Sequence, residues 1–255
     1  MLVKKKRQSQ IMEVLMKEEA ITVTELADLL DVSSVTIRKD LSELEQANKL
    51  YRSHGKARIL NPFTFNRSVN EKEKLFPEQK EAIGREAAKL IDRDDSIIIA
   101  SGTTIHALAR NIKPIHRLTV VSASLPASDI LSQDENNDII QLGGTVRHSS
   151  LSVVGQYSKQ ILENCSFSKL FIGVDGIDFN YGFTTTDMRE AELNQQMMNA
   201  AQKVIVLADA SKFGRRGFAK IGDIVDIDMI ITDAGVSPNV INQIKEHGID
   251  LIIAE

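Results

Sequence analysis

The sequence predicts a chain of two parts: an α+β head in residues 1–60 and an α/β body with a mainly parallel sheet in residues 80–255. Three observations predict it. Between Thr24 and Leu44, two short segments with helical apolar spacing flank the four-residue junction Asp31-Val32-Ser33-Ser34. From Ser96 onward, short aliphatic runs alternate with helix-period segments, the pattern of parallel strands covered on both faces. Between the two parts, residues 61–79 (NPFTFNRSVNEKEKLFPEQ) are polar, hold two prolines and show no clean period, as a linker does.

In the head, Gln8–Lys17 is expected to be helical, because Ile11, Val14 and Leu15 share a face. The KKKR run at residues 4–7 reads either as a solvated tail or as a clamp on phosphate. Ile21-Thr22-Val23 is a short extended piece. Thr24 is expected to cap the next helix, with Glu25 favouring its dipole and Leu26, Leu29 and Leu30 packing inward. Ser33–Leu44 (SSVTIRKDLSEL) then sets Ile37, Leu41 and Leu44 on one face and Ser34, Val35, Arg38 and Lys39 on the other. Asn48 is a left-handed stop. Leu50–Leu60 (LYRSHGKARIL) alternates apolar and polar residues around Gly55, as a β-hairpin does.

Helix, tight turn, helix and basic hairpin make a winged helix-turn-helix. In that arrangement the second helix enters the major groove of double-stranded DNA and its N-terminal residues reach base edges. Ser34, Val35, Thr36, Arg38 and Lys39 are therefore candidate DNA contacts, joined by Arg52, His54 and Lys56 at the hairpin. His54 serves equally as a plain turn residue. A helix pair with a charged outer face also suits a mere packing unit.

In the body, strands are expected at Ser96–Ala100, Leu118–Val121, Ile139–Leu142, Leu170–Val174, Val204–Ala208, Met229–Thr232 and Leu251–Ile253. Helices are expected at 78–91, 104–111, 126–133, 157–163, 188–200 and 238–247. Ligands of such sheets bind beyond the carboxyl ends of the strands, so the residues after each strand carry the reading. Ser101-Gly102-Thr103-Thr104 opens a helix and suits an anion at its N-terminus, or a simple cap. Ser122 and Gly143 follow the next two strands, with Arg147 beyond as a charged partner for phosphate. Asp175, Asp209 and Lys212 follow the later ones. Hydroxyls, carboxylates and cations converging on one crevice suit a phosphorylated sugar.

Composition bounds these readings. Residues 1–60 hold 11 Lys and Arg against 9 Asp and Glu, whereas the remainder holds 20 against 26, a weakly basic head on an acidic body. One cysteine, Cys165, excludes an intrachain disulfide or a cysteine metal cluster and suits a reducing cytoplasm. His106, His116, His148 and His247 show no ligand spacing and read as surface or packing residues, so no metal and no cofactor is expected. No apolar run approaches the ~18 residues of a membrane span.

The motifs R-x-x-x-I, T-E-L-A, V-S-x-x-T-I-R-K-D-L and L-Y-R-S-H-G in residues 7–60 resemble the N-terminal domain of the DeoR family of bacterial sugar-metabolism regulators. SGTT, LGGTVR, SLSVVG, GVDGI, GFTTTD and ADASKFG in residues 80–232 resemble, in order, its effector domain. That domain is similar to ribose-5-phosphate isomerase. The resemblance implies a repressor of a carbohydrate operon, a homo-oligomer (dimer or tetramer) on operator DNA, and a sugar-phosphate effector. The chain departs from the family pattern at Asn48, at Lys56 on the wing and at Ala123. An isomerase with an appended DNA-binding domain is the alternative. Asp175, Asp209 and Lys212 would serve it as acid–base groups, but Phe179 stands where the isomerases' dyad has Glu. A body that only oligomerises is the third reading, and the polar groups at successive strand ends argue against it.

Overall fold

The computed structural model of the chain describes residues 2–18, 20–46, 49–53, 55–59, 68–113 and 116–255. Asn48 and His54 lie outside the described residues. The chain divides into two units, Met1–Phe65 and Asn66–Glu255.

In the first unit, helix α1 (Leu2–Lys17) begins well before Gln8, so the KKKR run is helical and not a tail. Ile11 and Leu15 enter the core. Strand β1 (Ile21–Thr22) leads into α2 (Val23–Leu30). The cap of α2 is Thr22 and not Thr24. Thr22 and Glu25 have the spacing of a capping box: the Glu25 N–H donates to Thr22 Oγ1 at 3.2 Å and the Thr22 N–H donates to the Glu25 carboxylate at 2.7 Å. With the helix starting at Val23, Leu26 and Ala27 face inward while Leu29 is 62% exposed, against the expectation that it packs.

Asp31 turns the chain in the left-handed region (φ 51°), and its N–H donates to the Ala27 carbonyl. Asp tolerates this conformation better than most residues. Helix α3 (Ser34–Gln46) follows, with the Ser33 hydroxyl accepting from the Thr36 N–H. Ile37, Leu41 and Leu44 are buried as their spacing predicts. Strands β2 (Leu50–Ser53) and β3 (Lys56–Ile59) form the hairpin, and β3 also pairs antiparallel with β1 to give a three-stranded wing sheet.

The second unit begins inside the stretch expected to be linker. Helix α4 (Val69–Glu73) carries a Ser68–Glu71 capping box, and α5 (Pro77–Ala88) follows it. Short length and a charged surface give α4 no readable apolar period.

The strands and helices then alternate. They are β4 (Ser96–Ile99), α6 (Thr103–Asn111), β5 (Leu118–Ser122), α7 (Leu125–Leu131) and β6 (Asn137–Gln141). A hairpin, β7 (Thr145–Arg147) and β8 (Ser152–Val154), and α8 (Lys159–Glu163) precede β9 (Lys169–Gly173). Next come β10 (Gly176–Asp178), β11 (Gly182–Thr185), α9 (Met188–Ala200), β12 (Val204–Leu207) and β13 (Ala219–Gly222). β14 (Met229–Asp233), α10 (Pro238–Glu246) and β15 (Asp250–Ala254) end the chain.

The seven-stranded sheet has the order β15-β14-β12-β9-β4-β5-β6, and every neighbouring pair is parallel. Alternate residues feed opposite faces: Ile98, Val121, Leu170, Ile172 and Val206 pack on one side, and Ile97, Ile99, Val120, Phe171 and Leu207 on the other. β10, β11 and β13 form a separate antiparallel sheet, unexpected because their segments are too short to alternate visibly.

The chain winds outward from β4 to one edge of the sheet and from β9 to the other, so the topological switch point lies between β4 and β9. Ligand crevices of open α/β sheets form there. Ser101 and Asp175, just beyond those two strands, flank it; a Cβ on Gly173 at the end of β9 would lie 3.2 Å from the Ser101 carbonyl oxygen. Opposite, α5 and α6 press together at Gly84, where a Cβ would lie 2.6 Å from Ala107 C. Gly84 is one turn from Lys80, so this close approach sets how deeply Lys80 sits. His106 on α6 is buried, with Nε2 3.2 Å from the Ser124 hydroxyl. Burial pushes its pKa down to about 4, with Glu73 opposing and Arg110 and Lys80 assisting.

Two measurements test this packing. Gly84→Ala is expected to cost about 1–3 kcal/mol in urea unfolding, as overpacking does. His106 in the folded state takes up its proton only near pH 4, whereas the unfolded residue takes it up near 6.5. Stability contributed by the neutral ring is therefore full above pH 6.5 and falls by roughly 2–3 kcal/mol as the pH drops toward 4. Thermal unfolding at a series of pH values should show this slope, and His106→Gln should flatten it.

Candidate DNA-contacting face and strand-end crevice

The outer face of α3 presents Val35, 72% exposed, with Arg38 and Lys39 exposed beside it. Ser34 and Thr36 are half-buried, and the Thr36 hydroxyl lies 2.9 Å from that of Ser33. The inner side of α3 is held by charge. Arg7 of α1 is ion-paired and hydrogen-bonded to the buried Asp40. Lys4 donates to Glu43 at 2.6 Å and Gln8 donates to the same carboxylate at 2.8 Å. Two members of the basic run thus hold the exposed helix in place rather than reaching outward. Arg52 of the wing is similarly engaged: its Nε donates to Glu45 at 2.8 Å and its N–H at 2.9 Å. Lys56 is exposed at the wing turn, where Gly55 takes a φ of +77°.

In the second unit a polar network crosses the switch point. Ser101 donates to Glu190 at 3.0 Å, and Arg147 donates to the other oxygen of Glu190 at 2.8 Å. Thr185 donates to Glu190 at 3.0 Å and reaches Asp175 at 3.3 Å. Lys72 of α4 donates to Asp175 at 2.7 Å. The hairpin β7–β8 positions Arg147, which is only 7% exposed and also meets Asp187 at 3.3 Å. A buried guanidinium needs counter-charge. Two carboxylates supply it here, so Arg147 is not the free phosphate partner its sequence position suggests.

Three ammonium groups, those of Lys72, Lys80 and Lys212, lie close enough to feel one another's charge. Lys212 follows β12 in a turn capped by Asp209, whose carboxylate accepts from the Ser211 N–H at 3.0 Å. Asp233 of β14 fixes the same turn by accepting from the Ala210 N–H at 2.7 Å. Burial lowers the Lys212 pKa; Asp209 and Asp175 draw it back up, while Lys72 and Arg215 depress it further. Lys80 is buried and donates to the Lys72 and Leu75 carbonyls. Its pKa is pushed down to about 8, first by burial and then by Lys212. Burial would raise the Asp175 carboxyl, but Lys72, Lys212 and the hydrogen bonds from Lys72 and Thr185 hold it at about 2.

Among the expected crevice residues, Thr103 and Thr104 lie at the start of α6 behind Gly102, whose φ of +119° requires glycine. Gly143 is exposed, and its carbonyl accepts from Ser158. Ser122 does not face the crevice: it is fully buried, and its hydroxyl accepts from the Ser124 N–H at 3.0 Å to shape the turn into α7. The strand-end rule points to GFTTTD, which contains Thr185, whereas Lys72, Lys80 and Glu190 escaped the sequence reading, because nothing local marks them.

Phe179 stacks on Phe213, centroids 6.3 Å apart, and on the His247 ring at 5.5 Å. Among the described residues no group of acidic, His and Cys side chains is placed to hold a metal, and no helix is long and apolar enough to cross a membrane.

The DeoR-like helix-turn-helix domain matches residues 7–63, and the DeoR C terminal sensor domain matches residues 76–234. The chain is similar to the HTH-type transcriptional regulator YulB of Bacillus subtilis (strain 168), 35% identical over 94% of this chain and 93% of that one. It is 34% identical to the lactose phosphotransferase system repressor of Streptococcus mutans serotype c, over 90% of this chain and 92% of the other. It is 31% identical to the HTH-type transcriptional repressor GlcR of Bacillus subtilis (strain 168), over 96% and 94%. Among solved structures, ribose 5-phosphate isomerase A from Methanocaldococcus jannaschii aligns with 54% of each chain at 16% identity and a TM-score of 0.39. Two family domains in this order, with relatives matched over nearly their whole length, place the chain in the DeoR family of helix-turn-helix transcriptional regulators.

Proposed function

We propose that this regulator represses a carbohydrate uptake or catabolism operon and releases its operator when a phosphorylated sugar occupies the strand-end crevice. The observation that carries this reading is the gathering of Lys72, Lys80 and Lys212 beside Asp175 and Asp209 at the carboxyl ends of the central strands. Like charges repel there, and a phosphate dianion relieves that repulsion. The start of α6, with Ser101 through Thr104, offers backbone N–H groups to the same anion. In this reading Asp175 and Asp209 take the sugar hydroxyls. The repressors of sugar systems among the relatives support the carbohydrate assignment.

On the DNA side, Arg38 and Lys39 are the leading contacts, with Ser34, Val35 and Thr36 beside them and Lys56 on the backbone. Arg52 acts by bracing α3 through Glu45. Helix-turn-helix proteins read paired half-sites as symmetric oligomers, so a homo-oligomer, dimer or tetramer, is the working form, and its place is the cytoplasm with the chromosome.

Arg38→Ala is expected to weaken operator binding about ten- to hundredfold and to relax sequence preference, since a bidentate Arg–guanine contact contributes roughly 1–3 kcal/mol. Gel-shift titration on the DNA upstream of the chain's own gene measures both; unchanged affinity and preference refute the contact. Lys212→Gln is expected to leave operator binding in place while abolishing its release by a panel of pentose and hexose phosphates. Release at wild-type concentrations would remove Lys212 from the site.

A further inference from the structure

The first turn of α3 turns an apolar side chain outward and keeps its hydroxyls for itself. Ser33 caps the helix: its hydroxyl accepts from the Thr36 N–H at 3.2 Å and lies 2.9 Å from the Thr36 hydroxyl. Both hydroxyls are thereby engaged with each other and with the helix end. Ser34 and Thr36 are half-buried. Further along, the Ser42 hydroxyl donates to the Arg38 carbonyl at 2.8 Å. The groups left facing outward are Val35, 72% exposed, and then Arg38 and Lys39.

Val35 has no packing role in the head. Ile37, Leu41 and Leu44 fill the inner side of α3, and Val35 stands outside the apolar cluster they belong to. A β-branched residue is also a weaker helix former than Ala, Glu or Lys. Its methyl groups become buried only against a partner.

In the major groove the base edges show acceptors, amino donors and one apolar group, the C5-methyl of thymine. Arg38 and Lys39 supply donors; Val35 has neither a donor nor an acceptor. Against a cytosine amino group or a guanine carbonyl, Val35 would desolvate a polar group without replacing its hydrogen bond. Against a thymine methyl it removes apolar surface from water on both sides. Val35 and Arg38 share a helix face three residues apart, about 4.5 Å along the axis. Successive bases of a strand are about 3.4 Å apart along the duplex. With α3 lying along the groove, the two side chains reach bases one or two steps apart.

We propose that Val35 reads the C5-methyl of a thymine one or two base pairs from the guanine that Arg38 contacts, so that an apolar and a charged contact together specify each operator half-site. The proposal rests on α3 being the helix that enters the major groove.

The test compares two forms of the DNA upstream of the chain's own gene, one with thymine and one prepared with uracil throughout. Uracil lacks the C5-methyl and keeps every hydrogen-bonding group. In gel-shift titration the full chain is expected to bind the uracil duplex about four- to tenfold more weakly for each half-site, the loss of one buried methyl group and the surface facing it. Val35→Ser, which removes no core contact, is expected to weaken binding to the thymine duplex by a similar factor and to bind the two duplexes within about twofold of each other. Arg38→Ala is expected to weaken binding to both duplexes and to keep at least about a threefold preference for thymine. Single uracil substitutions then locate the methyl. Replacing guanines singly by 7-deazaguanine, which lacks the N7 acceptor, locates the base whose change Arg38→Ala no longer registers. The two positions are expected one or two base pairs apart.

Equal affinity of the wild type for the two duplexes would overturn the proposal, as would a Val35→Ser chain that prefers thymine by the wild-type factor. A thymine located elsewhere in the half-site would overturn the spacing. Unchanged affinity in both Arg38→Ala and Val35→Ser would remove α3 itself from the groove, a failure of the underlying reading and not of the methyl contact alone.

Discussion

Much of the second unit is arranged around one electrostatic constraint, the repulsion among Lys72, Lys80 and Lys212. At a partly buried site, two like charges about 5 Å apart repel by about 3 kcal/mol. The fold sustains three by assigning each a fixed partner. Asp175 takes Lys72, Asp209 offsets Lys212, and the carbonyls at the end of α4 take Lys80. Each partner is itself fixed by an element of the scaffold: Asp175 by β9 and Thr185, the Asp209 turn by Asp233, and Lys80 by the close contact at Gly84. The polar side chains at the strand ends are thus neither a random rim nor a preformed enzyme site. The carboxylates answer to the lysines.

The head solves a related problem with a different balance. A helix that presents Arg38 and Lys39 outward must be held from behind without neutralising them. The buried Asp40 and half-buried Glu43 do this by pairing with Arg7 and Lys4 of α1. The cost of burying a carboxylate is met by the guanidinium, and breaking such a pair by removing one partner typically costs about 3–5 kcal/mol. Two of the four cations at the start of the chain, Lys4 and Arg7, therefore belong to the architecture of α3, and their pairing with Glu43 and Asp40 leaves Arg38 and Lys39 exposed on its outer face.

Where the physical signal is local, the sequence carries it. Aliphatic runs of four or five residues mark the central strands, because strands buried on both faces are apolar throughout. The Ile37, Leu41, Leu44 spacing marks α3, and SGTT marks the start of α6. Three kinds of feature were not legible. Thr24 looked like a cap because it stood nearest the apolar period, whereas the reciprocal Thr22–Glu25 bonds decide the boundary. β7, β8, β10, β11 and β13 are too short for alternation to show. Lys72, Lys80 and Glu190 owe their roles to chain crossings that bring residues 72 and 175, or 101 and 190, together. No spacing rule records such pairs. Ser122 errs in the opposite direction: its position at a strand end is right, but the turn into α7 consumes its hydroxyl.

The energetics of release set a requirement on any coupling between crevice and operator. Turning an equilibrium from about 1:99 to 99:1 needs roughly 5.5 kcal/mol of differential ligand affinity. One charge-assisted hydrogen bond contributes about 1.5–3 kcal/mol, so a single contact that differs between the two states falls short, and two or three must change together. A phosphate shared by Lys72, Lys80 and Lys212 would change several at once, because one dianion relieves the repulsion that each lysine feels from the others.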